Sequence, residues 1–131
     1  TGDADERMDK GFAEFRKAML FDGPAVGNGV PLFQHGILNY VFAEMWCRPG
    51  LDQRSRRFLT LVGVADSAAR VPIATHFHAA MVSGNCTPEE LQEFVLQYGV
   101  HAGWPRASVI QSIVLEMISK VQRGLNWNEG D

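Results

Sequence analysis

Thr87-Pro88-Glu89-Glu90-Leu91-Gln92-Glu93-Phe94-Val95-Leu96-Gln97-Tyr98 contains the signals that open an α-helix and the pattern that continues one. A threonine hydroxyl can accept from the first unpaired amides. Proline at the first helical position removes an N–H that would have no partner there. Glu90, three residues past the cap, reaches back to the Thr87 amide and closes a capping box. Leu91, Phe94, Val95 and Tyr98 then recur at the helical period, so one face is apolar. Just before this helix, Gly84-Asn85-Cys86 makes a tight turn. The segment from Pro72 up to that turn is a second helix, turning Ile73, Phe77, Ala80 and Met81 inward. Two helices joined by so short a turn form an αα-hairpin.

Toward the N-terminus, Asp52 caps a helix over Gln53 to about Ser67, with Leu59, Val62 and Val64 or Ala65 expected inside. Arg48-Pro49-Gly50 stops the helix before it, because the residue preceding proline is pushed out of the α region. That helix ends near Trp46 and points Phe33, Ile37, Val41 and Met45 inward. Phe21 to Gly29 is turn chemistry. The first helix covers about Asp5 to Leu20 with Met8, Phe12, Phe15 and Met19 on one face. Toward the C-terminus, Gly103-Trp104-Pro105 breaks the chain, and a sixth helix from Pro105 to about Arg123 holds Val109, Ile113, Val114, Met117 and Val121. Leu125 to Asp131 reads as a tail. No stretch alternates with a period of two, so the expected class is all-α: about six helices in a single domain, 1–131, with a core of about 8–121.

At 131 residues the chain suits one such domain, and its 46% hydrophobic and 21% charged content is that of a soluble globular protein. A net charge of −3 argues against nucleic acid or an anionic membrane as partner. No apolar run reaches the roughly 18 residues of a membrane span. Thr1 to Arg7 is acidic and polar, unlike a secretory leader. Cys47 and Cys86 make no disulfide framework, which points to a reducing, cytoplasmic setting. Apolar residues beyond one stripe at 37–46 and 109–118 suggest a subunit interface and a homo-oligomer; one well-filled core is the other reading.

Three features carry possible chemistry. Four arginines, Arg48, Arg54, Arg56 and Arg57, fall within ten residues of an acidic protein. They form either an anion site or a solvated helix face. His76 and His78 lie two apart, so they face different sides of a helix and do not chelate one metal; no metal site is expected. One of them serves as general acid or base, or rests in the core on a backbone carbonyl. His101-Ala102-Gly103-Trp104-Pro105 is a helix break whose aromatic and amides can frame a pocket. There is no phosphate-binding glycine motif and no Cys-x-x-Cys, so neither nucleotide binding nor dithiol chemistry has an agent.

Taken in order, Glu44-x-Trp46-x-Arg48-Pro49-Gly50-Leu51, Arg57-Phe58-Leu59-Thr60-Leu61, His76 with Gly84 eight positions on, Thr87-Pro88-Glu89-Glu90 and Ala102-Gly103-Trp104-Pro105 resemble the carboxymuconolactone decarboxylase family, from about Met8 to Val121. The wider group includes AhpD-type alkylhydroperoxidases, which carry a Glu, a Cys-x-x-Cys and a His. Laid on His76, that pattern puts the cysteines at Ala69 and Pro72 and the Glu at Arg57, so the redox relay is gone. The resemblance implies an AhpD-like bundle, a trimer or ring-shaped hexamer, and cofactor-free decarboxylation of a small anionic lactone in aromatic-acid breakdown. On that reading His76 supplies a proton or polarises the lactone carbonyl, and Arg48 and Arg57 hold carboxylates. Glu44 orients a histidine or arginine, and Trp46 and Trp104 exclude water. His101, where the family commonly has Tyr, and Phe58, where a small polar residue is usual, line the pocket. The alternatives are an AhpD-like antioxidant protein and a non-catalytic oligomeric binding protein of the same fold.

Overall fold

The computed structural model describes residues 4–20 and 30–130, the side chains of residues 4, 33 and 34 excepted. The segment expected to turn at Phe21 to Gly29 lies outside the described residues. Those described form α1 (Ala4–Met19), a π-helix (Leu32–Met45), α2 (Gln53–Ser67), α3 (Arg70–Val82), α4 (Pro88–Ala102) and α5 (Trp104–Gln122), with no strand among them. The chain divides into two compact units, Thr1–Gln53 and Arg54–Asp131. Among the described residues no helix is long and apolar enough to cross a membrane.

In the first unit α1 packs closely on the π-helix: a Cβ added at Gly11 would overlap the Leu38 carbonyl. Met8, Phe15 and Met19 are buried as their period predicts. The π-helix differs from expectation. Leu38, Phe42, Ala43 and Trp46 are buried, while Ile37 and Val41 are half-buried and Met45 is exposed; Phe33 is among the undescribed side chains. Sidedness inferred from the α-helical period does not carry over to an i→i+5 helix, and the Trp46 amide here donates to Val41 at 2.8 Å.

The second unit is built around α5, on which α3 and α4 both pack. Ile110, Val114 and Met117 meet Phe77, Leu91 and Leu61 in one apolar core. Phe77 and Phe94 carry contact between α3 and α4, ring edge to face at 5.7 Å. The capping box forms as expected, with the Thr87 hydroxyl accepting from the Glu90 amide at 3.1 Å and Glu90 Oε1 accepting from the Thr87 amide at 2.9 Å. Two glycines make the helix reversals possible: Gly84 at φ 82° ends α3 and Gly103 at φ 97° separates α4 from α5, conformations that a side chain disfavours.

Three expectations need correction. In α2 the inner stripe is Arg57, Leu61 and Ala65, while Leu59 and Val62 are exposed. Leu59 to Ala65 is apolar on nearly every side, so its period could not choose a face. The choice falls where Arg57 finds acceptors. In α5 Val109 is exposed, because the buried stripe is centred on Ile110, Val114 and Met117. Leu125 to Trp127 is packed and not a loose tail. Gly124, at φ 71°, turns the chain back through Leu125 N–H to Lys120 C=O at 2.8 Å and Gly124 N–H to Val121 C=O at 3.1 Å, and Trp127 then lies on the core.

Candidate active site

Arg57 is wholly buried, an expensive placement for a cation unless its N–H groups are satisfied. Its Nε donates to Asn85 Oδ1 at 3.1 Å, and its Nη1 lies 3.0 Å from His76 Nδ1. A guanidinium has no lone pair to offer, so Nδ1 must be the acceptor, and the proton of the neutral ring sits on Nε2. Burial lowers the Arg57 pKa to about 10, opposed by the nearby Cys86, and the side chain stays charged at neutral pH. His76 is half-buried at the edge of this cluster. Burial, aided by the Arg57 charge, drives its pKa down to about 3, so it is a neutral imidazole across the physiological range.

Arg54 and Glu90 brace the turn that carries Asn85. Arg54 grips Glu90 with two hydrogen bonds, 2.6 and 3.1 Å, and also donates to the backbone carbonyl of Asn85. Its guanidinium lies 4.9 Å from the centre of the Phe58 ring, a cation–π contact. Glu90 is held down to about pKa 2 by its hydrogen bonds to Arg54 and to the Thr87 backbone. The helix-capping carboxylate of α4 thus anchors the turn that presents Asn85. In the sequence Asn85 reads only as a turn residue. Its side chain matters because the turn aims it at α2, which no local pattern announces.

The other residues singled out from sequence occupy different places. His78 is the core histidine: buried on the other side of α3, it meets the Leu125 carbonyl through Nε2 at 2.9 Å. Phe58 is half-buried on α2, its ring centre 6.4 Å from that of Phe94. His101 is exposed and, with Asp66, Tyr98 and Phe94, lines a groove of about 250 Å³. Trp104 is exposed and covers Gly99. Both lie at the end of α4 remote from the Asn85 turn, about 20 Å along the helix axis at 1.5 Å per residue. In the first unit Trp46 is buried and stacked on Phe42, centroids 5.8 Å apart. Glu44 pairs with Arg7 of α1 at 2.9 Å, and Arg48 is exposed just beyond the π-helix.

Neither thiol is poised as a nucleophile. Burial raises the Cys86 pKa, and burial together with Glu14 raises that of Cys47, whose Sγ donates to the Phe42 carbonyl at 3.2 Å. Among the described residues no group of three or more His, Cys, Asp or Glu is placed to hold a metal ion. What the cluster offers is a neutral imidazole with a fixed cation behind Nδ1, which strengthens Nε2–H as a donor to an oxygen that gains negative charge.

The chain is 27% identical over 85 residues to the 4-carboxymuconolactone decarboxylase of Acinetobacter baylyi, a match covering 65% of this chain and 63% of that protein. It is 30% identical over 103 residues to nitrosuccinic acid decarboxylase npaB of Metarhizium robertsii, covering 73% of this chain and 71% of the relative. The chain thus spans less than two thirds of the length of the bacterial relative. No solved structure gives a significant match. Residues 31–113 fit the family model described as the carboxymuconolactone decarboxylase family, a segment that includes Arg57, His76, Asn85 and the capping box. With more than half of its length matched, the chain belongs to the carboxymuconolactone decarboxylase family.

Proposed function

We propose that the protein is a cofactor-free decarboxylase of a small anionic substrate, in which His76 acts as a neutral hydrogen-bond donor and not as an imidazolium acid. The Arg57–His76 hydrogen bond carries this reading, since it fixes the ring neutral with its proton on Nε2. Loss of CO2 breaks a C–C bond and leaves its electron pair on the substrate. The two relatives are named for a carboxylated lactone and a carboxylated nitro compound. A lactone carbonyl and a nitro group are both electron sinks that develop oxyanion character as the bond breaks. A polarised Nε2–H stabilises that oxygen, and a proton from solvent then quenches the carbon. The buried Arg57 acts through His76. Arg48, exposed just beyond the π-helix, and Glu44, paired with Arg7, enter this reading on the family resemblance alone. Trp104, His101 and Phe58 of the second unit are candidate substrate contacts, and Trp46 of the first unit is one on the resemblance alone. His101 and Trp104, distant along α4, would require a site completed by another copy of the chain. Exposed Leu59, Val62, Leu96, Val100 and Leu115 favour such a homo-oligomer, a trimer or hexamer in this reading. Two free thiols suit a cytoplasmic setting.

The test is CO2 release from 4-carboxymuconolactone generated in situ and from nitrosuccinate, comparing the wild type with His76→Ala. The expected result is release from one of them by the wild type and a loss of about 10²-fold or more in kcat in the variant. Full activity in His76→Ala would overturn the role of that histidine. Absence of release from both would overturn the substrate class. Light scattering decides the assembly.

A further inference from the structure

Asn85 sits in the turn between α3 and α4. Its side chain and its backbone both make contacts there. Its Oδ1 accepts from Arg57 Nε, its backbone carbonyl accepts from Arg54, and its amide donates to Ser83 Oγ at 3.3 Å. The side chain therefore takes one edge of the buried guanidinium, which leaves Nη1 directed at His76. An aspartate would fit the same space but would place a formal negative charge against Arg57 and cancel much of the field that His76 feels. An alanine would leave Arg57 Nε without this acceptor inside a buried site.

We propose that Asn85 is a positioning residue that, through Arg57, holds His76 as the Nε2–H tautomer, its neutral amide leaving the arginine charge directed at the imidazole. The proposal rests on the role given to His76 above and adds what sets that residue's state. The ionisable groups around the pair are Arg54 and Arg57 from α2, Cys86 from the turn and Glu90 from α4. From α5, Glu116 and Lys120 face the start of α3 and are engaged with Arg70 and with each other. Glu90 is committed to Arg54 and the Thr87 cap, so Asn85 is the position at which one added charge faces Arg57 most directly.

The experiment reads the ring directly, in uniformly ¹⁵N-labelled, ligand-free protein, by long-range ¹H–¹⁵N histidine spectra from pH 8 to pH 4. In the wild type His76 should show an unprotonated Nδ1 and a protonated Nε2, unchanged over the range. Asn85→Asp should move the His76 titration upward by at least one pH unit, and Asn85→Ala should give a mixture of tautomers. Wherever the wild type turns over a substrate, kcat of Asn85→Ala should fall at least tenfold with KM changed less than threefold. The near-isosteric Asn85→Asp decides the matter if Asn85→Ala fails to fold. Wild-type His76 spectra in a folded Asn85→Asp protein would overturn the proposal. Because the spectra need no substrate, the two failures separate. A correct tautomer in a protein that releases no CO2 sinks the function and leaves Asn85 its role. Decarboxylation with an unaltered His76 in Asn85→Asp does the reverse.

Discussion

At the scale of single residues the decisive substitution is the sign of the charge beside His76. The redox relay of the wider group would put a glutamate at position 57, which would raise the histidine pKa and fit the ring to carry protons. Burial, with the arginine charge adding to it, lowers it here to about 3. The stability consequence follows. Between the unfolded His value near 6.5 and the folded value near 3, the unfolded chain binds the extra proton, so stability from this group is complete above about pH 6.5 and is lost as pH falls toward 3. Melting temperature should therefore drop between pH 6.5 and pH 4, and His76→Gln, which cannot take up that proton, should shrink the drop by roughly 5 °C. An equal drop in the variant would mean another group titrates. Correspondingly, the kcat profile should show no histidine inflection between pH 5 and pH 8. Arg57→Lys cannot serve Asn85 and His76 with one fork, and is expected to destabilise by about 2 kcal/mol in urea unfolding. His76 was legible in the sequence because its neighbours lacked metal and thiol partners. That Arg57 hydrogen-bonds it was not legible, since the family pattern assigns Arg57 to a substrate carboxylate, and Asn85 was not legible either, since its role depends on where a turn points.

At the scale of elements, strong local chemistry was readable and weak periodicity was not. The Thr87 capping box stands in the structure as read, because Thr87, Pro88 and Glu90 each favour the same conformation. Thr87→Ala should cost about 1 kcal/mol in chemical denaturation. It also frees one contact of Glu90, so the Arg54 clasp on the Asn85 turn should loosen. A Thr87→Ser variant should recover most of that stability, and equal loss in both would argue against the hydroxyl. The faces of α2 and the π-helix were misread for a common reason. Each is apolar nearly all round, so burial is decided by partners that the local pattern does not contain. For the π-helix that partner is α1, whose Gly11 lies against the Leu38 carbonyl. Backbone cannot yield as a flexible side-chain tip can, so Gly11→Ala must part the two helices. The expected cost is roughly 2 kcal/mol or more, despite the better helix propensity of alanine. A neutral or stabilising result would show that the two helices slide apart freely.

At the scale of the molecule, the second unit is closed by Leu125 to Trp127, residues that read as a tail in the sequence. Gly124 followed by leucine was a signal for this return, since a glycine just past a helix end with an apolar residue behind it favours a turn onto the last helical residues. Two side chains that would otherwise be costly to bury depend on that return. His78 meets the Leu125 carbonyl, and Lys120, itself buried, donates to the Trp127 carbonyl at 2.8 Å while staying within 3.3 Å of Glu116. Ending the chain after Gly124 removes both backbone acceptors and the Trp127 ring together. Lost apolar contact amounts to about 1–2 kcal/mol, and each stranded donor adds about 1 kcal/mol, for a total near 3–4 kcal/mol. Trp127→Ala separates the two contributions, because it deletes the ring and keeps both carbonyls. Thermal unfolding should accordingly place Trp127→Ala between the wild type and the truncated chain, with the truncated chain roughly 10 °C or more below the wild type. Coincident melting of the two variants would mean that His78 and Lys120 find water instead, and that the segment acts only as an apolar cover. His78 shares α3 with His76 on another side of the helix, and Arg57 holds His76 from α2. A truncated protein that still folds should therefore keep the His76 tautomer while losing stability, which assigns the tail to the frame and the Asn85–Arg57 pair to the site.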